Sequence, residues 1–275
     1  MLGTKSATNL KAIAEAFGSN DTPVLLKGGQ GTTFRAGTIV IKPADGIEEA
    51  AWLATTFDGI PASAEIRIPK PVLSVHGNWI EDRFVAWSFI EGEPSASAYR
   101  EKSDACDAYH RLVRRIAKPD FIGTRTDPWS VADRKAWGEE RIDYKSGFAH
   151  LYRDLLSSLE DLSLPNQIIH GDFSGNVLFA SELPPAVIDF SPYWRPAGFS
   201  QAVILIDGAA LDENATSSEL LNVFGSIEHI EQLTLRAALR RMFEQFEHNR
   251  MQRANKTEAL QVAESYRAAC KRLFS

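Results

Sequence analysis

Cysteine is scarce in this chain of 275 residues: only Cys106 and Cys270 occur, far apart, each on the apolar side of a helical pattern. That argues against a disulfide scaffold and a cysteine-built metal site, and leaves two buried free thiols as the expectation. Long apolar runs are missing as well, since none approaches the roughly 18 residues a membrane-spanning helix needs. The first residues lack a basic stretch followed by an apolar core, so no secretory signal is expected and the chain is read as cytoplasmic, with no membrane partner. Positive charge is not in excess either. Thirty Lys plus Arg stand against 36 Asp plus Glu, a net charge of −6, which argues against a nucleic-acid partner. Internal repeats and low-complexity segments are absent. Small molecules, cationic ones included, remain the easier partners for a monomer or homodimer.

What is present is ample core material. Hydrophobic residues make up 44% of the chain, enough for one large domain or two lobes sharing a cleft. Leu10, Ile13, Ala14 and Phe17 recur at helical spacing, predicting a helix over about residues 7–17. Val24–Lys27 and Thr38–Lys42 read as strands, with Gly28-Gly29-Gln30-Gly31-Thr32-Thr33-Phe34 between them. A helix follows from Ile47, with Ala50, Ala51, Trp52 and Leu53 as its expected buried side. Residues 71–76 and 83–90 are further strands, and Glu91-Gly92-Glu93-Pro94 breaks the second.

Beyond that break the texture turns helical. Ala105, Tyr109, Leu112, Val113 and Ile116 share a face, and residues 139–160 are expected to continue in the same style. Two late stripes, Ile227 to Phe246 and Ala259 to Phe274, close the chain. One island interrupts the helices: Gln167–His170, Asn176–Phe179 and Ala186–Phe190 read as short strands. The reading is α+β, a β-rich unit over residues 1–92 and a mainly helical unit over 93–275.

The strongest chemical signal lies on that island. His170-Gly171-Asp172-Phe173-Ser174-Gly175-Asn176 is followed, after a short strand, by Ile188-Asp189-Phe190. Two carboxylates and an amide at strand ends can converge on a magnesium-bound polyphosphate, because Mg²⁺ takes oxygen ligands and keeps several waters. Asn176 and Asp189 are the metal candidates, and Asp172 is then free to orient a substrate hydroxyl. The plainer alternative is a loop whose Asp and Asn residues only make turns.

These segments resemble the catalytic and metal-binding motifs of the aminoglycoside phosphotransferase family, which choline kinases share. The resemblance implies a two-lobed protein-kinase-like fold, Mg²⁺ and ATP (or GTP) as cofactors, and Asp172 as catalytic base. It gives His170 a bracing role. The family usually places the Asn five residues after the catalytic Asp, whereas Asn176 is four after Asp172.

The first unit offers an independent check. A lysine on the strand after a glycine-rich hairpin can neutralise nucleotide phosphates, and Lys42 stands there. Glu49 resembles the helix glutamate that holds this lysine, with Glu48 as competitor. Gly28, Gly29 and Gly31 permit close backbone approach to phosphates and Thr32 adds a hydroxyl, although such a segment is as often a plain hairpin turn. Arg83–Ile90 resembles the strand and hinge that hold the adenine, which by position assigns the Ser88 carbonyl and the Ile90 amide to the base, with Trp87 behind it or simply in the core.

Gly171 stands where many protein kinases carry an arginine that receives a phosphorylated loop, so no loop-phosphorylation switch is expected. For the acceptor, Trp194 and Arg195 are candidate contacts or loop anchors. Asp133, Glu139, Glu140 and Asp143 are carboxylates that could meet a cationic acceptor or merely form a solvated helix face. The resulting expectation is a small-molecule kinase acting on a hydroxyl of an amino sugar, sugar or aminoglycoside-like compound. The alternatives are a nucleotide-binding module without turnover and a protein Ser/Thr kinase.

Overall fold

The computed structural model describes residues 7–27, 31–44, 46–143, 148–251 and 255–274. The chain divides into two compact units, Met1–Glu93 with Leu178–Ile188, and Pro94–Val177 with Asp189–Ser275.

The first unit runs α1 (Ala7–Ala16), β1 (Val24–Leu25), β2 (Phe34–Ala36), β3 (Ile39–Pro43), α2 (Ile47–Asp58), β4 (Pro71–Val72), β5 (Ile80–Glu81) and β6 (Phe84–Ser88). Its antiparallel sheet has the order β1-β2-β3-β6-β4, with β5 also on β6. Side chains alternate across a strand, and directly paired residues share a face. Ile41 pairs with Ala86, so Ile39, Ile41, Phe84 and Ala86 lie on one face, packed with Ile13, Ala14 and Phe17 of α1. Val40, Lys42, Val85 and Trp87 take the opposite face, where the Phe57 ring of α2 meets Trp87 edge-on at 6.2 Å.

The buried side of α2 is Leu53, Ala54 and Phe57, not the expected Ala50–Leu53 face; Ala50, Ala51 and Trp52 are half-buried. Phe57 is what turns the helix, because it is the large ring that reaches Trp87. The helix begins with Glu48 and Glu49 near its positive end. Its last carbonyls are met by a cation: Lys70 Nζ donates to Phe57 O and Asp58 O, each at 3.1 Å, and also to Ile60 O. Both charge placements favour the helix dipole.

After β7 (Glu93–Pro94), the chain builds α3 (Tyr99–Val113), α4 (Pro128–Ala136), α5 (Ala149–Ser157), β8 (Asn166–His170), β9 (Val177–Ala180), β10 (Leu183–Val187) and β11 (Pro192–Pro196). It ends with α6 (Gly198–Leu211), α7 (Ser217–Phe224), α8 (Ile230–Arg250) and α9 (Lys256–Phe274). α6 is buried without interruption from Phe199 to Ala209, packed among α3, α7, α8 and α9. Local sequence sets several helix starts. Asp127 caps α4 by accepting from Ser130 N at 2.9 Å, with Pro128 in the first turn, and Thr216 with Glu219 forms a capping box on α7.

The helical stretch expected over 139–160 is corrected: α4 stops at Ala136, Gly138 takes φ +72°, and helix resumes at Ala149. Residues 144–147 fall outside the described set. Among the described residues no helix is long and apolar enough to cross a membrane.

The β9–β10 hairpin belongs mostly with the first unit. Arg67 N donates to Pro185 O and Val187 N to Arg67 O, both at 2.9 Å, while Arg67 Nε reaches Pro184 O at 2.7 Å. Gly92 passes close to the same hairpin at φ +147°, where an added Cβ would lie 3.0 Å from both Leu178 Cβ and Phe179 O. Gly92→Ala is therefore expected to cost about 1–3 kcal/mol through backbone strain, read as a lowered Tm in thermal unfolding. An unchanged Tm would contradict the close approach.

Candidate active site

The antiparallel pairing of β8 with β11 sets the geometry. His170 lies opposite Pro192, so Asp172, two residues past β8, and Asp189, three before β11, emerge at the same end of one ribbon. Gly171 N donates to Ser191 O at 2.8 Å and ties the two segments together. Gly171 has no room for a side chain, because an added Cβ would fall 2.2 Å from Tyr193 Cδ2 and 2.9 Å from Arg240 Nη1.

His170 is fully buried and braces the turn. Its Nδ1 accepts from Asp172 N at 3.1 Å, its carbonyl accepts from Ser200 Oγ at 2.8 Å, and its ring packs on Tyr109, Phe173 and Phe190. Behind it, His110 Nε2 meets Ser200 Oγ at 3.3 Å and His110 Nδ1 meets Cys106 Sγ at 3.7 Å.

The short spacing still brings Asn176 to Asp172. Asn176 N donates to Phe173 O at 3.2 Å, closing a turn, and its Nδ2 donates to Asp172 O at 2.7 Å. With the amide nitrogen turned inward, the amide oxygen is left as an acceptor, which is the donor a hard cation takes. Asp189 adds an exposed carboxylate on left-handed backbone at φ +51°, anchored by the buried ring of Phe190 stacked on Tyr109. Both residues carry oxygen donors of the kind a hard cation such as Mg²⁺ takes.

Asp172 is half-exposed and tied to α8: Arg241 Nη2 donates to its Oδ1 at 2.8 Å. Burial pushes the Asp172 carboxyl up, but the Arg241 guanidinium, aided by His170 and Arg240, outweighs it and holds the group down at about 2. Arg241 in turn grips Asp207 through Nε at 3.0 Å and Nη2 at 2.6 Å. Its Nη1 reaches Glu244 at 3.1 Å, and Tyr266 Oη donates to Asp207 at 2.9 Å. Sequence reading missed this group. Its signal was charge inside apolar stretches: Asp207 within α6, and Arg240-Arg241 within the α8 stripe.

In the first unit Lys42 sits on β3, on the sheet face against which α2 packs, and α2 carries Glu49 in its first turn. Glu49 is half-buried while Glu48 is exposed. Gly31 takes φ +69° and precedes Thr32 in the β1–β2 connection, which Leu26 N closes on Thr33 O at 2.9 Å. Gly28 and Gly29 lie outside the described residues. At the strand end, Ser88 N donates to Lys70 O at 2.7 Å and Phe89 N to Thr38 O at 2.8 Å, so the segment that leads to Ile90 is held at the amides of Ser88 and Phe89.

Arg195 is drawn into the frame. It is 7% exposed and forks onto Asp133 Oδ2 at 2.7 and 3.0 Å, while also bonding Glu139 at 2.6 and 2.7 Å. Glu140 pairs with Arg134 at 3.2 Å, and the Asp143 carbonyl accepts from Tyr152 Oη at 2.6 Å. Trp194, Arg195 and Asp133 line a cavity of about 30 Å³. These contacts make Arg195 an anchor of β11 on α4.

Two tests follow from this packing. Arg195→Met leaves Asp133 buried without its partner and is expected to cost about 3–5 kcal/mol in chemical denaturation; a loss under about 1 kcal/mol would mean the fork contributes little. Burial, with His170 nearby, lowers His110 to about 3. Below pH 6.5 the unfolded chain then binds a proton the native state refuses, so stability falls as pH drops, by about 2 kcal/mol at pH 5. His110→Asn should show a flatter Tm profile over pH 7 to 5, and parallel profiles would refute this.

Residues 47–193, more than half of the chain, match APH, the phosphotransferase enzyme family. No curated protein matches the chain in sequence. Among solved structures, the spectinomycin phosphotransferase APH(9)-Ia, in complex with ADP and spectinomycin, superposes with a TM-score of 0.64 at 14% identity over 98% of both chains. A choline/ethanolamine kinase family protein from Mesorhizobium loti gives 0.63 at 17% identity, over 100% of this chain and 95% of that one. The choline kinase LicA from Streptococcus pneumoniae gives 0.59 at 12%, over 97% and 98%. At such identities the likeness speaks for the fold, which is protein-kinase-like, and the family match speaks for the rest. The chain belongs to the phosphotransferase enzyme family as a small-molecule kinase.

Proposed function

We propose that the protein transfers the γ-phosphate of ATP, or of GTP, to a hydroxyl of a small molecule, with an amino sugar, sugar or aminoglycoside-like compound as acceptor. The observation that carries this reading is the Asp172 turn: a half-exposed carboxylate, held low by Arg241, sits beside an Asn whose amide nitrogen is bonded to the Asp172 carbonyl, at the ribbon end that also carries Asp189.

In this reading Asp172 accepts a hydrogen bond from the acceptor hydroxyl and orients its oxygen toward the γ-phosphorus. The new O–P bond forms as the bond to the β,γ-bridging oxygen breaks, ADP leaves, and the hydroxyl proton passes to Asp172. Asn176 and Asp189 would hold Mg²⁺, which when bound neutralises phosphate charge. Lys42, with Glu49, is assigned to the phosphates; Gly31, Thr32 and the neighbouring Gly28 and Gly29 to the backbone cradle; Ser88 and Ile90 to the base.

Mg-ATP at about a hundred times its dissociation constant should stabilise the protein by roughly 2.7 kcal/mol, a Tm rise on the order of 5–10 °C. Asp189→Ala should shrink that rise. Asp172→Asn should keep it while lowering ADP production by about 10²–10⁴-fold. Folded protein that shows no Tm rise with any Mg-nucleotide would remove the basis for the proposal.

A further inference from the structure

We infer that Arg241 is the positioning residue of the catalytic carboxylate, holding Asp172 by one oxygen so that the other faces the acceptor hydroxyl. The inference rests on the phosphotransfer reading and adds a part to it. Asp172 ends a turn and its side chain is 47% exposed, so packing alone does not choose its rotamer. Arg241 does. Its planar fork is fixed on both oxygens of Asp207, at 3.0 Å from Nε and 2.6 Å from Nη2, and the second Nη2 hydrogen points at Asp172 Oδ1, 2.8 Å away. Asp207 lies within the buried run of α6 and is steadied by Tyr266 Oη of α9 at 2.9 Å.

The neighbouring arginine holds the same turn by its backbone. Arg240 Nη1 donates to Gly171 O at 2.7 Å, and the two oxygens of Glu244 index both arginines, Oε1 to Arg240 Nε at 2.9 Å and Oε2 to Arg241 Nη1 at 3.1 Å. Residue 171 is thus gripped at its carbonyl and residue 172 at its side chain, from one rigid helix. Asp207 and Glu244 already supply carboxylates to Arg241. Asp172 is therefore not needed to keep the buried guanidinium paired, and the third contact acts on Asp172 itself. Among the described residues, its Oδ2 has only the long 3.4 Å approach of Asn176 Nδ2 from within the turn.

The test measures ADP release from Mg-ATP with water as the acceptor. In Arg241→Ala, kcat should fall about a hundredfold, the scale of a 1 Å misplacement, with KM for ATP within about twofold of wild type. Guanidinium ion should restore about a tenth or more of the lost rate in Arg241→Ala, and none in Asp172→Asn. Arg241→Lys, which keeps the charge but loses the fork, should fall between. A kcat within about threefold of wild type in folded Arg241→Ala, or a loss that guanidinium leaves untouched, overturns the inference. Should Arg241→Ala not fold, Asp207→Asn decides: kcat lowered at constant KM supports it, and unchanged kcat overturns it. Wild-type protein that shows no Tm rise with any Mg-nucleotide sinks the phosphotransfer reading instead, whereas binding without hydrolysis removes only the water-acceptor readout. Amide exchange over residues 170–177 then still judges the grip, faster in the Arg241 variants if it exists and unchanged if it does not.

Discussion

Everything chemical in the helical unit hangs on the five-residue pairing of β8 with β11. Because the two strands are antiparallel and His170 faces Pro192, the turn after the first strand and the segment before the second leave from one end. No side chain is needed to bring Asp172 and Asp189 to that end; the ladder does so, and the Gly171 N to Ser191 O bond continues it one step further. Side chains then refine the result. Phe173 and Phe190 both pack on Tyr109, a buried aromatic post on α3, so both segments share one support.

Charge in this unit is handled by pairing in small closed groups. Arg195 with Asp133 and Glu139 fixes β11 on α4, and Lys135 with Glu247 and Arg250 fixes α4 on α8. Arg240, Arg241, Asp207 and Glu244 form a third group, and it extends to the half-exposed Asp172. Buried ions are stable only where donors and acceptors match closely, so each group acts as a rigid joint as well as a neutralised pair. Three of the carboxylates that sequence inspection offered for a cationic acceptor, Asp133, Glu139 and Glu140, have arginine partners of their own.

Much of this was legible in the sequence, and the exceptions have physical causes. The first helix, the turn at 170–176 and the closing helix are announced by clean periodicity or by polar residues capping short apolar runs. β2 was not, because three residues between glycine-rich stretches are too few for alternation to register. β11 was read as a loop because prolines stand at both its ends, positions where a two-stranded ribbon tolerates a missing donor. α6 carries no amphipathic stripe, since a helix buried on all sides has no polar face to mark its period. The carboxylates at 139–143 looked helical by composition, yet Gly138 had already ended the helix. The grip on Asp172 comes from a residue 69 positions away, and sequence spacing says nothing about such a contact.

The hairpin at 178–188 gives the chain an unusual itinerary. Its residues group with the first unit while both flanking segments group with the second, so the polypeptide passes between units at 93–94, again at 177–178 and again at 188–189. Neither unit is therefore a contiguous stretch of sequence. A fragment cut near residue 93 would strip Arg67 of the carbonyls of Pro184 and Pro185 and of the amide of Val187. The remaining fragment would carry a hairpin without its partner. Asn176 and Asp189 stand in the sequence beside two of these crossings, and no single cut of the chain yields either unit whole.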